Sequence, residues 1–170
     1  DKKQSPSTRM AIAAELRNAL FKTKEYLNKK EMAKDDFSKM PSYDMKWEAL
    51  IPVVKGEMSL KAHAHRADDI LTAIRIAKEF DLKMTIEHCT EGHLIADYLA
   101  EEGYSAIVCP SLSERSKFEL KNLTFDTPGI LSKAGVKIAI MTDAPVIPLQ
   151  YLSMAAALSV KSGMDSYEAL

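Results

Sequence analysis

The chain has 170 residues, 46% hydrophobic and 28% charged; at roughly 150 residues per domain this means one domain or a piece of a larger one, able to bury a core. Lys and Arg number 23 against 24 for Asp and Glu, a net charge of −1, which removes the electrostatic footprint of a nucleic-acid binder. No run reaches the ~18 apolar residues that span a bilayer, no signal-peptide pattern is legible, and two cysteines make no disulfide framework, so a reducing cytoplasm is the default expectation.

Ser5-Pro-Ser-Thr8 offers hydroxyls to the free N–H groups of a helix start. Met10, Ala13, Leu16, Leu20, Tyr26 and Leu27 then keep helical spacing to about Lys30. Glu31 to Ser42, with Pro41, reads as a loop or short helix, and Tyr43 to Lys55 as a second helix ended by Gly56 and disturbed by Pro52. Residues 1–56 are thus a mainly helical lead-in.

From position 57 the pattern changes to alternating strands and helices. Strands are predicted at Leu60 to His63, Lys83 to His88, Tyr104 to Cys109 and Lys137 to Thr142. Between them come helices at Ala67 to Phe80 and Gly92 to Glu102, the second ended by Gly103. A long connection with Pro110 and Pro128 carries helical turns near Ser113 to Leu120 and Gly129 to Lys133. A last helix covers Pro148 to Ser162, and Asp165 to Leu170 reads as a further helix cut at its beginning, so that with Asp1 at the other end the chain looks like a fragment. Alternation of this kind implies an α/β fold, a parallel sheet with right-handed crossovers.

All four histidines, His63, His65, His88 and His93, fall between positions 63 and 93. His63 and His88 close successive predicted strands, and Asp143 follows the fourth, after Ile138-Ala-Ile-Met141. In parallel α/β folds the C-terminal strand ends are where loops converge and function collects. Two imidazoles and a carboxylate there form a ligand set for a divalent metal, zinc above all. His65 stands two residues from His63, on the same face if the strand continues and in the loop if it does not. His93, at a helix start, is either part of the first turn or a donor to substrate. Cys89 and Glu87 alternate away from His88 and read as a small buried thiol and a structural acid. Cys109 ends the third strand and is a remote candidate ligand. Asp68 and Asp69 suit the positive start of their helix.

The words Lys61-Ala-His-Ala-His-Arg-Ala-Asp-Asp-Ile70, Ile86-Glu-His-Cys-Thr-Glu-Gly-His93 and Met141-Thr-Asp-Ala-Pro145, in this order and spacing, resemble the amidohydrolase superfamily and in particular its imidazolonepropionase-related branch. The resemblance runs from Ser5 to the C-terminus. It implies part of a (β/α)8 TIM barrel, about four parallel strands that form its second half, with the His-x-His of the family's first strand absent. It further implies metal ligation by His63, His88 and Asp143. The activity implied for the intact protein is hydrolysis of a non-peptide C–N bond in a small molecule, such as a cyclic amide or amidine-like compound, by metal-activated water, the chain alone being expected to be inactive. Asp143 would act as base and then acid, His88 would hold metal or the attacking water, and His65 and His93 would orient substrate. Two positions depart from the family pattern: Ala144, where a histidine is common, and Cys89, where glycine is usual.

The alternatives are a catalytically inert half-barrel and a non-enzymatic α/β binding domain. Four strands cannot close a barrel. Open edges and an apolar inner face are therefore expected, covered by self-association or by the missing half of the barrel.

Overall fold

A computed structural model describes residues 5–34, 36–108 and 112–170; the expectation for Cys109 lies outside these. The chain divides into two compact units, Asp1–Leu60 with Ile74–Lys83, and Lys61–Ala73 with Met84–Leu170.

The first unit is helical. Its long helix α1 (Arg9–Ala33) is capped by Thr8, whose hydroxyl accepts the Ala11 N–H at 3.1 Å. A single 3-10 turn, Phe37–Lys39, leads to α2 (Met45–Val54), capped by Asp44 and holding Pro52 in its last turn. Gly56 follows at φ +69, a left-handed conformation that costs a glycine little. The Tyr26 hydroxyl donates to Glu48 at 2.7 Å and the Lys30 ammonium also reaches that carboxylate, joining α1 to α2. Among the described residues no helix is long and apolar enough to cross a membrane.

The second unit carries a four-stranded parallel sheet, β1 (Leu60–Ala64), β2 (Met84–His88), β3 (Ser105–Val108) and β4 (Ile138–Ile140), with Leu60 itself assigned to the first unit. Strand order equals chain order. A doubly wound sheet reverses direction at a switch point, whereas a (β/α)8 barrel adds each strand beside the last, so this order is that of a barrel segment. The connecting helices are α3 (Ala67–Phe80), α4 (Ala96–Glu102) and α5 (Asp126–Lys133), and α6 (Leu152–Lys161) follows β4. This is the α/β architecture expected from the strand–helix alternation.

Strand pleating sets the two faces. Register places Ile86 opposite Ala106 and Glu87 opposite Ile107, with Ile107 opposite Ala139 in turn. Met84, Ile86, Ala106 and Val108 are buried, while their alternating neighbours Thr85, Glu87, Ser105 and Ile107 stay partly open. The open face is not the apolar surface expected of an unclosed barrel. Lys61 donates to Glu87 at 3.1 Å and Thr85 donates to the same oxygen at 2.7 Å.

Several boundaries differ from the sequence expectation. β1 continues one residue past His63, to Ala64. The helix expected over Gly92 to Glu102 begins as a 3-10 turn, Gly92–Ile95, before α4. A Cβ on Gly92 would collide with the Cys89 sulfur, so the tight first turn is packed directly on that thiol. β4 is shorter than expected: Met141 still donates to the Val108 carbonyl at 3.0 Å, then the chain leaves the sheet and Asp143 takes φ +54. Asp165 to Leu170 is a turn closed on the Asp165 side chain, which accepts the N–H groups of Tyr167 and Glu168.

Candidate metal centre

β1 and β2 lie side by side and deliver histidines at their C-terminal ends. His63 shares the open face with Lys61, two residues before it, and is exposed. His88 pairs in register with Val108, on the buried face, but its φ is +71 and that of Cys89 is +49. This left-handed pair ends the pleat and brings the His88 ring against His63, with ring centroids 4.2 Å apart. Such conformations cost a non-glycine residue about 1–3 kcal/mol each and collect where function overrides local preference. His65 lies just beyond β1, its ring 4.9 Å from His63 and 4.6 Å from His88.

Each of these three residues offers one ring nitrogen, and the three nitrogens lie within 4.8 Å of one another. Two nitrogens bound to one metal at ~2.1 Å each stand at most ~4.2 Å apart, so a small rotation of the rings suffices to enclose an ion. Protonation is also suitable. Burial, reinforced by the positive charge of the neighbouring rings, pushes His65 down to about 4, and it lowers His88 from its ordinary value as well. Both rings are neutral at pH 7, with a lone pair to give. Asp143 opposes the shift on both rings, so its carboxylate stands within electrostatic reach of them, though outside the three-nitrogen group.

Behind the rings is a polar layer that sequence reasoning missed. The Thr90 hydroxyl sits 2.7 Å from His65 Nδ1 and is buried. A proton on Nδ1 donated to that hydroxyl leaves Nε2 as the ligating nitrogen. Glu91, also buried, accepts the Ala67 N–H and the Asn122 side-chain amide, each at 2.9 Å. Its own N–H donates to the His65 carbonyl at 2.8 Å. One carboxylate therefore joins the corner after β1, the corner after β2 and the segment after β3. The one signal in the sequence was an acid within three residues of His88, and it reads equally well as a helix-start residue.

The remaining candidates lie elsewhere. His93 Nδ1 is 2.9 Å from the Thr127 hydroxyl, which donates to the Thr90 carbonyl at 3.3 Å; the ring is not part of the three-nitrogen group. Cys89 is fully buried and its thiol is pushed up to about 12, so it stays protonated, as expected of a packing residue. Glu87 is tied to Lys61 and Thr85, as expected of a structural acid. Asp68 sits in the first turn of α3 and holds Arg66 through two contacts of 2.8 Å.

No protein-family model matches the sequence, and no curated protein does. Among solved structures the chain is similar to an amidohydrolase from Thermotoga maritima MSB8, with a TM-score of 0.93 and 44% identity over 98% of this chain. The chain spans 44% of the length of that protein. The likeness is to an amidohydrolase; it does not single out the imidazolonepropionase-related branch.

Proposed function

We propose that the chain carries the metal-binding strand ends of a hydrolase that cleaves a non-peptide C–N bond, such as that of a cyclic amide, in a small molecule. The observation that carries this reading is the group of three imidazole nitrogens within 4.8 Å, at the ends of adjacent parallel strands of a chain similar to an amidohydrolase. His63, His65 and His88 hold the metal in this reading, with Asp143, in the turn after β4, as a further ligand and zinc as the ion that an imidazole and carboxylate set favours. A divalent ion so bound supplies Lewis acidity and brings the pKa of water towards ~7.

The protein groups supply positioning and proton transfer. Asp143 is exposed beside the rings, where its carboxylate takes a proton from the attacking water and returns it to the leaving nitrogen. His88 orients that water or shares in ligation, His65 completes the three-nitrogen group with His63 and His88, and His93 orients the substrate. The reading also places further strands, from a longer chain or from a second copy, against β1 and β4, each of which has one neighbour among the described residues. It places the protein in a reducing cytoplasm, for which the free thiol of Cys89 is the support.

The test is metal content by mass spectrometry and isothermal titration with zinc. One ion per chain is expected, and His63→Ala or His88→Ala should weaken binding by ~100-fold or more while His93→Ala leaves it intact. Equal zinc affinity in all of these variants refutes the reading. The inert half-barrel differs at the next step, binding metal without turnover.

A further inference from the structure

We propose that a cavity in the helical unit, walled by Lys24, Lys55 and Lys83, binds a phosphate dianion, either free or carried on a small organic molecule. The proposal is independent of the candidate metal centre, which takes no part in it.

The cavity has a volume of about 350 Å³, the size of a small-ligand site, and its whole wall belongs to the first unit. Lys24 reaches it from α1, Lys55 and Gly56 from the end of α2, and residues 80–83 from the end of α3. The Lys24 side chain donates to the Phe80 carbonyl at 2.8 Å and its ammonium lies 5.4 Å from the centre of the Phe80 ring, which fixes one cation on the wall. The Lys83 stem crosses the Gly56 turn, its Cε 3.9 Å from the place a Cβ on that glycine would take. Val54 and the buried Leu82 add an apolar stretch.

Lysines at a helix C-terminus ordinarily cap its free carbonyls. Here backbone groups already do so. The carbonyls of Ile51, Pro52 and Val53 accept the N–H groups of Lys55, Glu57 and Gly56 respectively, and those of Ala77 and Lys78 accept Leu82 and Asp81. Phe80 is served by Lys24. Lys55 and Lys83 are exposed, and among the described residues their ammonium groups have neither a hydrogen bond nor an ion pair. Asp81 is the one acid among the residues of the wall, so three ammoniums against one carboxylate leave a surplus of two positive charges. Like charges gathered at one cavity repel, and an anion that accepts from several of them relieves that repulsion. A phosphate offers several strong acceptor oxygens to such point-charge donors on flexible stems, and its double charge matches the surplus.

Inorganic phosphate and phenyl phosphate are titrated calorimetrically into the chelator-treated chain, so that no metal ion competes for the anion, with lysine side-chain NMR recorded in parallel. Saturable binding of one anion per chain is expected, with the signals of Lys24, Lys55 and Lys83 moving together. Lys55→Met and Lys83→Met should each weaken it about tenfold, and Lys83→Arg should keep most of it. Lys22→Met, at an exposed lysine of α1 that is not on the wall, should change nothing. Melting midpoints equal to the parent's establish that these surface variants fold. Tighter binding of phenyl phosphate supports a phosphate monoester as the occupant, with its organic part against Val54 and Leu82, and tighter binding of inorganic phosphate supports the free ion. No saturable binding, affinity unchanged in both Lys55→Met and Lys83→Met, or an equal loss in Lys22→Met overturns the proposal.

Discussion

In the helical unit the tie between Arg17 and Glu79 is made by charged groups at the surface, whereas at the corners after β1 and β2 the ties are made by a buried hydroxyl, an imidazole and one carboxylate. Arg17 grips Glu79 through two contacts of 2.6 and 2.7 Å, yet the two side chains remain 49% and 34% exposed. In the other unit, His65, Thr90 and Glu91 are 8%, 2% and 6% exposed and bonded to one another or to neighbouring segments. A surface pair competes with water on both sides and contributes little. A buried polar group has no alternative partner, so disrupting it exacts the full desolvation penalty. The contrast bears on why the proposed chemistry is placed in the second unit: groups that water cannot compete for hold a fixed position.

Acid should produce the largest difference between the units. His65 has a folded value of about 4 against an ordinary 6.5, so between these limits the unfolded chain binds more protons than the folded one. The stability contributed is complete above pH ~6.5 and lost as the pH falls towards ~4, amounting to about 3 kcal/mol at ~1.4 kcal/mol per unit. His88, shifted the same way, adds to the loss. In the helical unit Glu79 and Glu48 are lowered from 4.5 by Arg17 and Lys30 respectively, so their ion pairs weaken only below that pH. Amide hydrogen exchange at pH 5 should accordingly show the corners after β1 and β2 opening before α1 and α2. Uniform protection across both units would break the comparison.

Packing at the same corner gives the next effect. Gly92→Ala places a methyl on the Cys89 sulfur and should cost about 1–3 kcal/mol, read as a lower urea midpoint with unchanged slope. Recovery of the midpoint in Gly92→Ala combined with Cys89→Gly would assign the loss to that contact, and no recovery would place it elsewhere.

How much of this was legible in the sequence follows from the range of each interaction. α3 occupies the residues its apolar periodicity predicts, Ala67–Phe80, because a helix is specified by neighbours three and four apart. β2 falls within the predicted strand, and His63 and His88 stood out as histidines at strand ends. The 3-10 start at Gly92 was not legible, since it depends on the packing of Cys89 rather than on propensity. Thr90 and Glu91 were equally hidden. Their partners Thr127 and Asn122 are 37 and 31 residues away, and a hydroxyl or acid near a helix start looks like a cap until its burial is known. The left-handed backbone at His88, which carries its ring to His63, leaves no trace in residue type, because neither His88 nor Cys89 is glycine.

A smaller effect sharpens the comparison from inside the site. Thr90→Val keeps the shape of the buried side chain but removes the hydroxyl 2.7 Å from His65 Nδ1. Without that partner the ring loses its fixed tautomer and orientation, and zinc affinity should fall by about tenfold, as for other groups that orient a metal-ligating histidine. Thr90→Ser, which retains the hydroxyl, should stay near the parent value. Equal loss in both variants would mean that the methyl, through packing, was what mattered.

The smallest effect belongs to the helical unit. Arg17→Ala removes a two-point ion pair of good geometry, and the pair visibly perturbs both partners: the Glu79 carboxylate holds Arg17 above its ordinary value, and the guanidinium holds Glu79 below its own. Both side chains are open to solvent, however, so the attraction is screened by water and salt while holding two flexible side chains still carries an entropic cost. The expected outcome is a melting midpoint and zinc affinity indistinguishable from those of the parent, with salt sensitivity alone reduced. A destabilisation as large as that of Gly92→Ala would show that this surface pair fixes the helices as firmly as buried groups fix the candidate metal centre.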